Sequence, residues 1–235
     1  MSHSKDVTVC TIACNAEDTI SNWFNYVYPR FKHAVIVTSE SDDNTEVIAA
    51  NFASVRPEIF THISAPMSSF AEHKQLSLDN APTEWKLILD ADEIMEDYDW
   101  DDCVKHCPYD VVAFPRYNLQ KDKEHYHKGS YPDYQFRLVN SNVRYNSNRP
   151  VHETLDFDGA YSELDEVHII HWGHIRSQQN LQTKSEMRKK FALWDAADGT
   201  QLLKINNWFA ERNEQWNKDI KKLPKHLCEM LKLYS

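Results

Sequence analysis

The chain has 235 residues, a formal net charge of −10 and an apolar fraction of 41%, a length that suits one generous α/β domain or a domain with a helical appendage. The acidic balance argues against a surface devoted to phosphate backbones, although from Arg176 onward Lys and Arg outnumber Asp and Glu. Only four glycines occur, Gly129, Gly159, Gly173 and Gly199, so neither G-x-G-x-x-G nor G-x-x-x-x-G-K-[ST] can be written, and dinucleotide and P-loop chemistries are excluded.

Val7 to Cys14 is β-branched and apolar, and it ends in Asn15-Ala-Glu17 before an amphipathic stretch with Ile20, Trp23, Phe24 and Val27. This predicts a strand, a loop and a helix. Ala34 to Thr38 repeats the pattern, closing in Ser39-Glu-Ser-Asp-Asp-Asn-Thr45 ahead of a helix through Val47, Ile48 and Phe52. Ile59 to Ile63 reads as a short third strand, Phe70 to Ala81 as a helix with Leu76 and Leu78 partly inward, and Leu87 to Leu89 as a buried strand. Strands alternating with helices imply a parallel sheet with right-handed crossovers. From Val111 to Leu155 short segments rich in Tyr, Asn and Pro predict a mixed or antiparallel region, with strands at Val111–Phe114, Gln135–Val139 and Val143–Tyr145. Val167 to His171 is the last predicted strand. Helices are expected after Arg176, through Trp194 and Trp208 to Ser235.

The five cysteines, Cys10, Cys14, Cys103, Cys107 and Cys228, are odd in number and lack C-x-x-C spacing, as expected of reduced structural thiols. No N-terminal apolar core preceded by positive charge and no run near the roughly 18 apolar residues of a membrane span is seen. A cytoplasmic protein without a transmembrane segment is expected.

The run Leu87-Ile-Leu89 stops in Asp90, Asp92 and Glu93. A strand ending in carboxylates delivers oxygens to the carboxyl edge of the sheet, where α/β proteins bind ligands. Alternation along an extended segment points Asp90 and Asp92 the same way, so that both share one divalent cation while Glu93 faces elsewhere. The competing reading of an isolated Asp-x-Asp is a cap on the next helix.

Asn15-Ala-Glu17, Ser41-Asp-Asp-Asn-Thr45, Asp90-Ala-Asp-Glu93 and Arg149-Pro-Val-His-Glu153 follow one another at successive strand ends. In this order they resemble the inverting family 2 glycosyltransferases of GT-A fold, and within them the bacterial enzymes of lipopolysaccharide core synthesis, over about residues 5–175. The resemblance implies an α/β fold with a mixed central sheet flanked by helices, here with a helical C-terminal extension. It implies a catalytic domain over residues 1–175, with a nucleotide-sugar half at 1–100 and an acceptor half at 101–175, followed by an extension at 176–235. Asp90 and Asp92 would hold Mn²⁺ or Mg²⁺ against the diphosphate of a nucleotide sugar, a UDP-sugar by preference. Asn15, Glu17 and Asp43 fall where the family contacts base and ribose, with helix caps as the alternative for Asn15 and Asp43. Lys74 could meet phosphate or lie on a solvated helix face.

Glu153 is the expected base, taking the proton of the attacking acceptor hydroxyl, with an ion-paired surface glutamate as its alternative. Tyr131-Pro-Asp-Tyr-Gln-Phe-Arg-Leu138 resembles the family's Pro-Asp-x-Gln-x-Arg-Leu segment and places Asp133 and Arg137 near the cleft. His152 is either a metal ligand or the orienter of Glu153. His168, His171 and His174 are spaced wrongly for a tri-histidine site, but His171 at a strand end could complete a metal shell or serve as a buried structural histidine. The chain departs from the family at Thr38, where an aspartate is usual, and at Glu40 and Asn44, where glycines are usual. These changes put the base preference in question.

Lys184, Arg188, Lys189 and Lys190 form a basic cluster, and Lys221, Lys222, Lys225 and Lys232 punctuate a tail with Leu223, Leu227, Met230 and Leu231. Such a region could make peripheral contact with a membrane bearing a lipid-linked acceptor, approach hydroxymethylated viral DNA, or pack on the core with its lysines in solvent. The expected partners are a nucleotide-sugar donor and a glycan, lipid-linked or modified-DNA acceptor. The rival readings are a metal-dependent nucleotidyltransferase and a non-catalytic sugar-nucleotide or glycan-binding module.

Overall fold

The computed structural model describes residues 3–147, 153–173, 175 and 219–234. Its strands are β1 (Ser4–Ala13), β2 (Phe31–Thr38), β3 (Phe60–Ser64), β4 (Trp85–Ile88), β5 (Glu93–Met95), β6 (Val111–Asn118), β7 (His125–His127), β8 (Asp133–Asn140), β9 (Arg144–Tyr145), β10 (Leu155–Asp156), β11 (Ser162–Glu163), β12 (Ile169–His171) and β13 (Ile220–Lys222). The helices are α1 (Glu17–Val27), α2 (Thr45–Val55), α3 (Phe70–Asp79), α4 (Trp100–His106) and α5 (Lys225–Leu231), with 3₁₀ turns at Lys128–Ser130 and Lys232–Tyr234. The main sheet runs β3-β2-β1-β4-β8-β6-β12-β5, with β11 beside β6.

The half built from β1 to β4 is parallel, as strand–helix alternation requires, and β8 inserts antiparallel beside β4. The result is the mixed α/β sheet flanked by helices expected from the sequence. On α1, Ile20, Trp23, Phe24 and Val27 are fully buried, a stripe at i, i+3, i+4 and i+7. Each buried Ile, Val or Phe contributes about 1.5–3 kcal/mol, and Phe24 stacks on Phe52 of α2 at 4.1 Å. Trp23 also donates its indole N–H to the carbonyl of Leu89 at 3.1 Å, which ties α1 to the backbone immediately before Asp90.

Two registers place the candidate residues. β1 pairs with β4 so that Cys10 faces Ile88, and the N–H of Leu89 continues that ladder to the carbonyl of Cys10. β12 lies between β6 and β5, setting His171 opposite both Asn118 and Glu93. The strand β5 and the helix α4 have no counterpart among the sequence expectations.

The described part of the C-terminal region carries the expected helix, preceded by one short strand. Ile220–Lys222 is a strand paired with β7, and α5 follows it. Leu223, Leu227 and Leu231 are buried in the main core while Lys221, Lys222, Lys225 and Lys232 stay in solvent. These leucines, offered as an apolar face for a membrane, are consumed by intramolecular packing. The basic cluster Lys184, Arg188, Lys189 and Lys190, with Trp194 and Trp208, lies outside the described residues, as do His152 and His174. No helix among the described residues is long and apolar enough to cross a membrane.

Candidate active site

The predicted site residues gather at the carboxyl edge in two groups. The first joins the loops after β1 and β2. Asn15 adopts a left-handed conformation (φ +49°), which asparagine tolerates better than most residues, and its Oδ1 accepts from the N–H of Asp42 at 2.8 Å. Asp43 accepts from the N–H of Glu17 through one carboxylate oxygen and from the N–H and hydroxyl of Thr45 through the other. A single carboxylate thereby serves the first turns of both α1 and α2, where helix N-termini favour negative charge. Glu17 reciprocates by accepting from the backbone and side-chain N–H groups of Asn44. The capping alternative describes the bonds that Asp43 makes.

The second group is built on Asp90. The N–H of Glu93 donates to the carbonyl of Asp90 at 2.9 Å, closing a turn directly after β4. The expected extended run from Asp90 to Asp92 is therefore not formed, because the chain must leave β4 to reach β5, whose partner is β12. The two carboxylates stand in different company: Asp90 touches Lys74 Nζ at 3.2 Å and Arg137 Nη2 at 2.9 Å, whereas Asp92 lies 3.5 Å from His171 Nε2. Asp92 nevertheless lies close enough to oppose the ionisation of Asp90.

Lys74 is buried on α3, whose start is capped by Ser69 accepting from the N–H of Glu72, so the solvated-face reading does not apply. Its ammonium sits 2.6 Å from Glu153 while also touching Asp90. Burial alone would lower the Lys74 pKa, but Asp90 and Glu153 outweigh it and hold the ammonium above the usual lysine range. Burial would raise the carboxyls of Asp90 and Glu153; Arg137 with Lys74 in the first case, and Lys74 in the second, hold them below the usual carboxylate range. Glu153 is thus ionised and only 16% exposed.

From Asp90 the contacts continue without a break. Arg137 also binds the fully buried Glu93 at 2.7 Å, Glu93 accepts from Arg116 at 2.8 Å, and Arg116 reaches Asp133 at 2.8 Å. Asp133 accepts from Asn118 Nδ2 at 2.9 Å, and Asn118 Oδ1 lies 2.8 Å from His171 Nδ1. The chain Glu153, Lys74, Asp90, Arg137, Glu93, Arg116, Asp133, Asn118, His171, Asp92 links base candidate to metal candidate. Sequence reading missed Glu93, Arg116 and Asn118 as members. The signal was present, since Arg116-Tyr-Asn118 ends β6 in polar residues as Asp90 ends β4.

Among the described residues no three His, Cys, Asp or Glu side chains converge as a ready metal cage. The pair Asp92 and His171 nonetheless fits a catalytic divalent cation, which is commonly held by one or two protein groups together with substrate phosphates. A Cβ added at Gly173 would come within 2.6 Å of Asp92 Oδ2 and collide with His171 Nε2, so the backbone passes over the pair too closely for any residue there but glycine. His168, by contrast, is tied to Glu96 at 2.6 Å and Tyr131 at 3.1 Å, away from this pair. A cleft of about 390 Å³ lined by Gln75, Asp79, Lys86 and Ser141 lies at the amino end of β4, the opposite edge from the chemistry.

Comparison with known proteins bears on this arrangement. The model of the family described as glycosyl transferase family 2 matches residues 8–160, more than half of the chain. No curated protein matches it. Among solved structures, the chain is similar to S. aureus TarS 1–349 in complex with UDP, with a TM-score of 0.52 and 13% identity, covering 75% of this chain and 62% of that one. S. aureus TarS itself gives a TM-score of 0.51 at 13% identity, covering 69% and 36%. The chain thus spans less than two thirds of the length of these structures, and at such identities the likeness is one of fold.

Proposed function

Because the chain belongs to glycosyl transferase family 2, we propose that it transfers one sugar from a nucleotide diphosphate donor to an acceptor hydroxyl with inversion at the anomeric carbon. The observation that carries this reading is Lys74, whose ammonium contacts Glu153 and Asp90 at once and so brings a buried, ionised carboxylate to the acidic strand end. Glu153 accepts the proton of the acceptor hydroxyl as its oxygen bonds to the anomeric carbon. The bond from that carbon to the diphosphate oxygen breaks, and its electron pair leaves with the diphosphate. Asp92 and His171 would hold Mn²⁺ or Mg²⁺, which when bound supplies positive charge to the leaving diphosphate. Asp90 anchors Lys74 and Arg137, and Lys74 turns from Glu153 toward the donor phosphates, unloading the base.

Asn15, Glu17 and Asp43 hold the two donor-side loops in register through their mutual bonds, and Asp133 and Arg137 support the acceptor side. UDP-sugar is the donor we favour, UDP being the ligand of the TarS complex. A glycan or lipid-linked saccharide reached from the cytoplasmic side is the favoured acceptor. The test is an assay of UDP-sugars with and without Mn²⁺ over a panel of saccharide acceptors, following nucleotide diphosphate release and product configuration by NMR. UDP release with an inverted anomer supports the proposal. Pyrophosphate release would replace it with nucleotidyl transfer, a retained anomer would remove the inverting mechanism, and binding without turnover would leave a binding module.

A further inference from the structure

We infer that Phe136 and Tyr161 form a stacking platform for a neutral saccharide acceptor, engaging a sugar ring remote from the hydroxyl that reacts at Glu153; this rests on the glycosyl-transfer reading above. Phe136 on β8 and Tyr161, just before β11, are 38% and 39% exposed, and their rings meet edge to face at 4.9 Å. Phe157 meets Phe136 edge to face at 5.4 Å and packs on the core cluster that holds Ile88 and Val139. Strand register fixes the pair: Ala113 lies opposite Phe136 on one side and opposite Glu163, two residues beyond Tyr161, on the other. The register slips at Arg137, since Val112 pairs with Leu138 and Ala113 with Phe136, and a bulge of this kind re-aims side chains beside a site. Two large rings are thereby held rigidly in solvent, next in sequence to an arginine that binds Asp90.

The platform is continuous with the proposed base. From Glu153 to Phe157 half-buried and exposed residues alternate, which sets Glu153, Leu155 and Phe157 on one side of an extended segment. Leu155 and Phe157 pack on the same cluster as Tyr145, whose ring lies 5.8 Å from Lys74 Nζ. Four residues of extended chain span about 13 Å, so a ligand that reaches both ends is an oligosaccharide. Charge selects this occupant. From Glu153 to Glu166 there are six carboxylates and no lysine or arginine, and Asp156, Asp158, Glu163 and Asp165 are exposed. Such a rim repels phosphate backbones and anionic headgroups. Carboxylates accept from hydroxyls, and the negative faces of aromatic rings attract the C–H face of a sugar. Aromatic side chains bury about 150–250 Å² each, so two rings at under 40% exposure fall far short of the roughly 800 Å² per partner of a stable dimer.

The experiment follows the full-length chain with neutral mono- to hexasaccharides of hexose, heptose and N-acetylhexosamine units, by saturation-transfer NMR for binding and by nucleotide-sugar turnover. Hydroxymethylated duplex DNA and phosphatidylglycerol vesicles are the anionic comparisons. Phe136→Leu keeps an apolar side chain on β8 but removes the ring. It should weaken binding of the oligosaccharide that wild type selects by about tenfold and raise the acceptor KM as much, with a far smaller loss of kcat and an effect that grows with acceptor length. Phe136→Tyr should stay close to wild type. Tyr161→Leu, outside any strand, should repeat the loss and keeps the test open if Phe136→Leu does not fold. Wild-type binding and KM in the folded leucine variants, no saccharide bound, ring-dependent binding of DNA or vesicles instead, or a dimer that Phe136→Leu dissolves would each overturn the inference. If saccharides bind through the rings but no nucleotide sugar is turned over, the transfer reading falls and the platform stands; turnover onto saccharides that ignores both rings removes the platform alone.

Discussion

The loops after β1 and β2 and the polar chain from Glu153 to Asp92 share the carboxyl edge of one sheet, yet they are held differently. In the loops, Asn15, Glu17, Asp43 and Thr45 bond mostly to nearby backbone N–H groups across two adjacent turns. In the chain, side chains from distant parts of the sequence meet, and from Glu153 to Asp133 they pair charge against charge, with Glu93 fully buried and Arg137 5% exposed. The first region is a capping device that the local sequence nearly completes. The second is a network in which every ion depends on another, because removing one partner leaves a charge in a poorly solvated place.

This difference predicts a ranking of substitutions. Arg137→Met strips Asp90 and Glu93 of a shared partner and should cost about 3–5 kcal/mol, read as a lower denaturant midpoint; an unchanged midpoint would mean that the chain is not energetically connected. Asp92→Ala should leave the melting temperature near that of wild type while lowering metal-dependent donor turnover by roughly a hundredfold or more. Undiminished turnover would move the metal elsewhere.

Acid titration gives a smaller and signed effect. Glu153 is held below its ordinary value by Lys74 against the opposing pull of burial, so its contribution to stability is present above its unfolded value of about 4.3 and is lost as pH falls through the lower folded value. In Lys74→Met burial loses its main opponent, the carboxyl rises, and the acid loss of stability should become shallower in melts taken across the window below about pH 4.3. An unchanged acid limb would show that Lys74 does not hold Glu153 in solution. The smallest effect belongs to the loops: Asp43→Ala removes a cap shared by two helices and should cost about 1 kcal/mol, with the donor KM raised more than kcat is lowered. A loss as large as that of Arg137→Met would erase the contrast between the regions.

The strand–helix order through β4 and the carboxyl-edge placement of Asn15, Asp43 and Asp90 were legible because they follow from periodicity and from where apolar runs stop. The direction of Asp92 was not. Alternation assumes an extended backbone, and the turn at Asp90–Glu93 exists because β5 pairs with β12. Lys74 illustrates the same limit: a lysine on a helix reads as solvated until Glu153 arrives from seventy-nine residues away. Glu93, Arg116 and Asn118 were not legible as a set, because no local pattern links β5 to β6 even though β6 ends in polar residues.

The sequence by itself determined the α/β order, the acidic edge and the family resemblance, since these depend on interactions within a strand, a turn or a helix. Only the tertiary structure decided which charges meet: Asp90 with Lys74 and Arg137, Asp92 with His171, and Glu153 with Lys74. The physical reason is that a buried ion must find its counter-charge wherever the fold brings one, and strand register, not chain proximity, does the bringing.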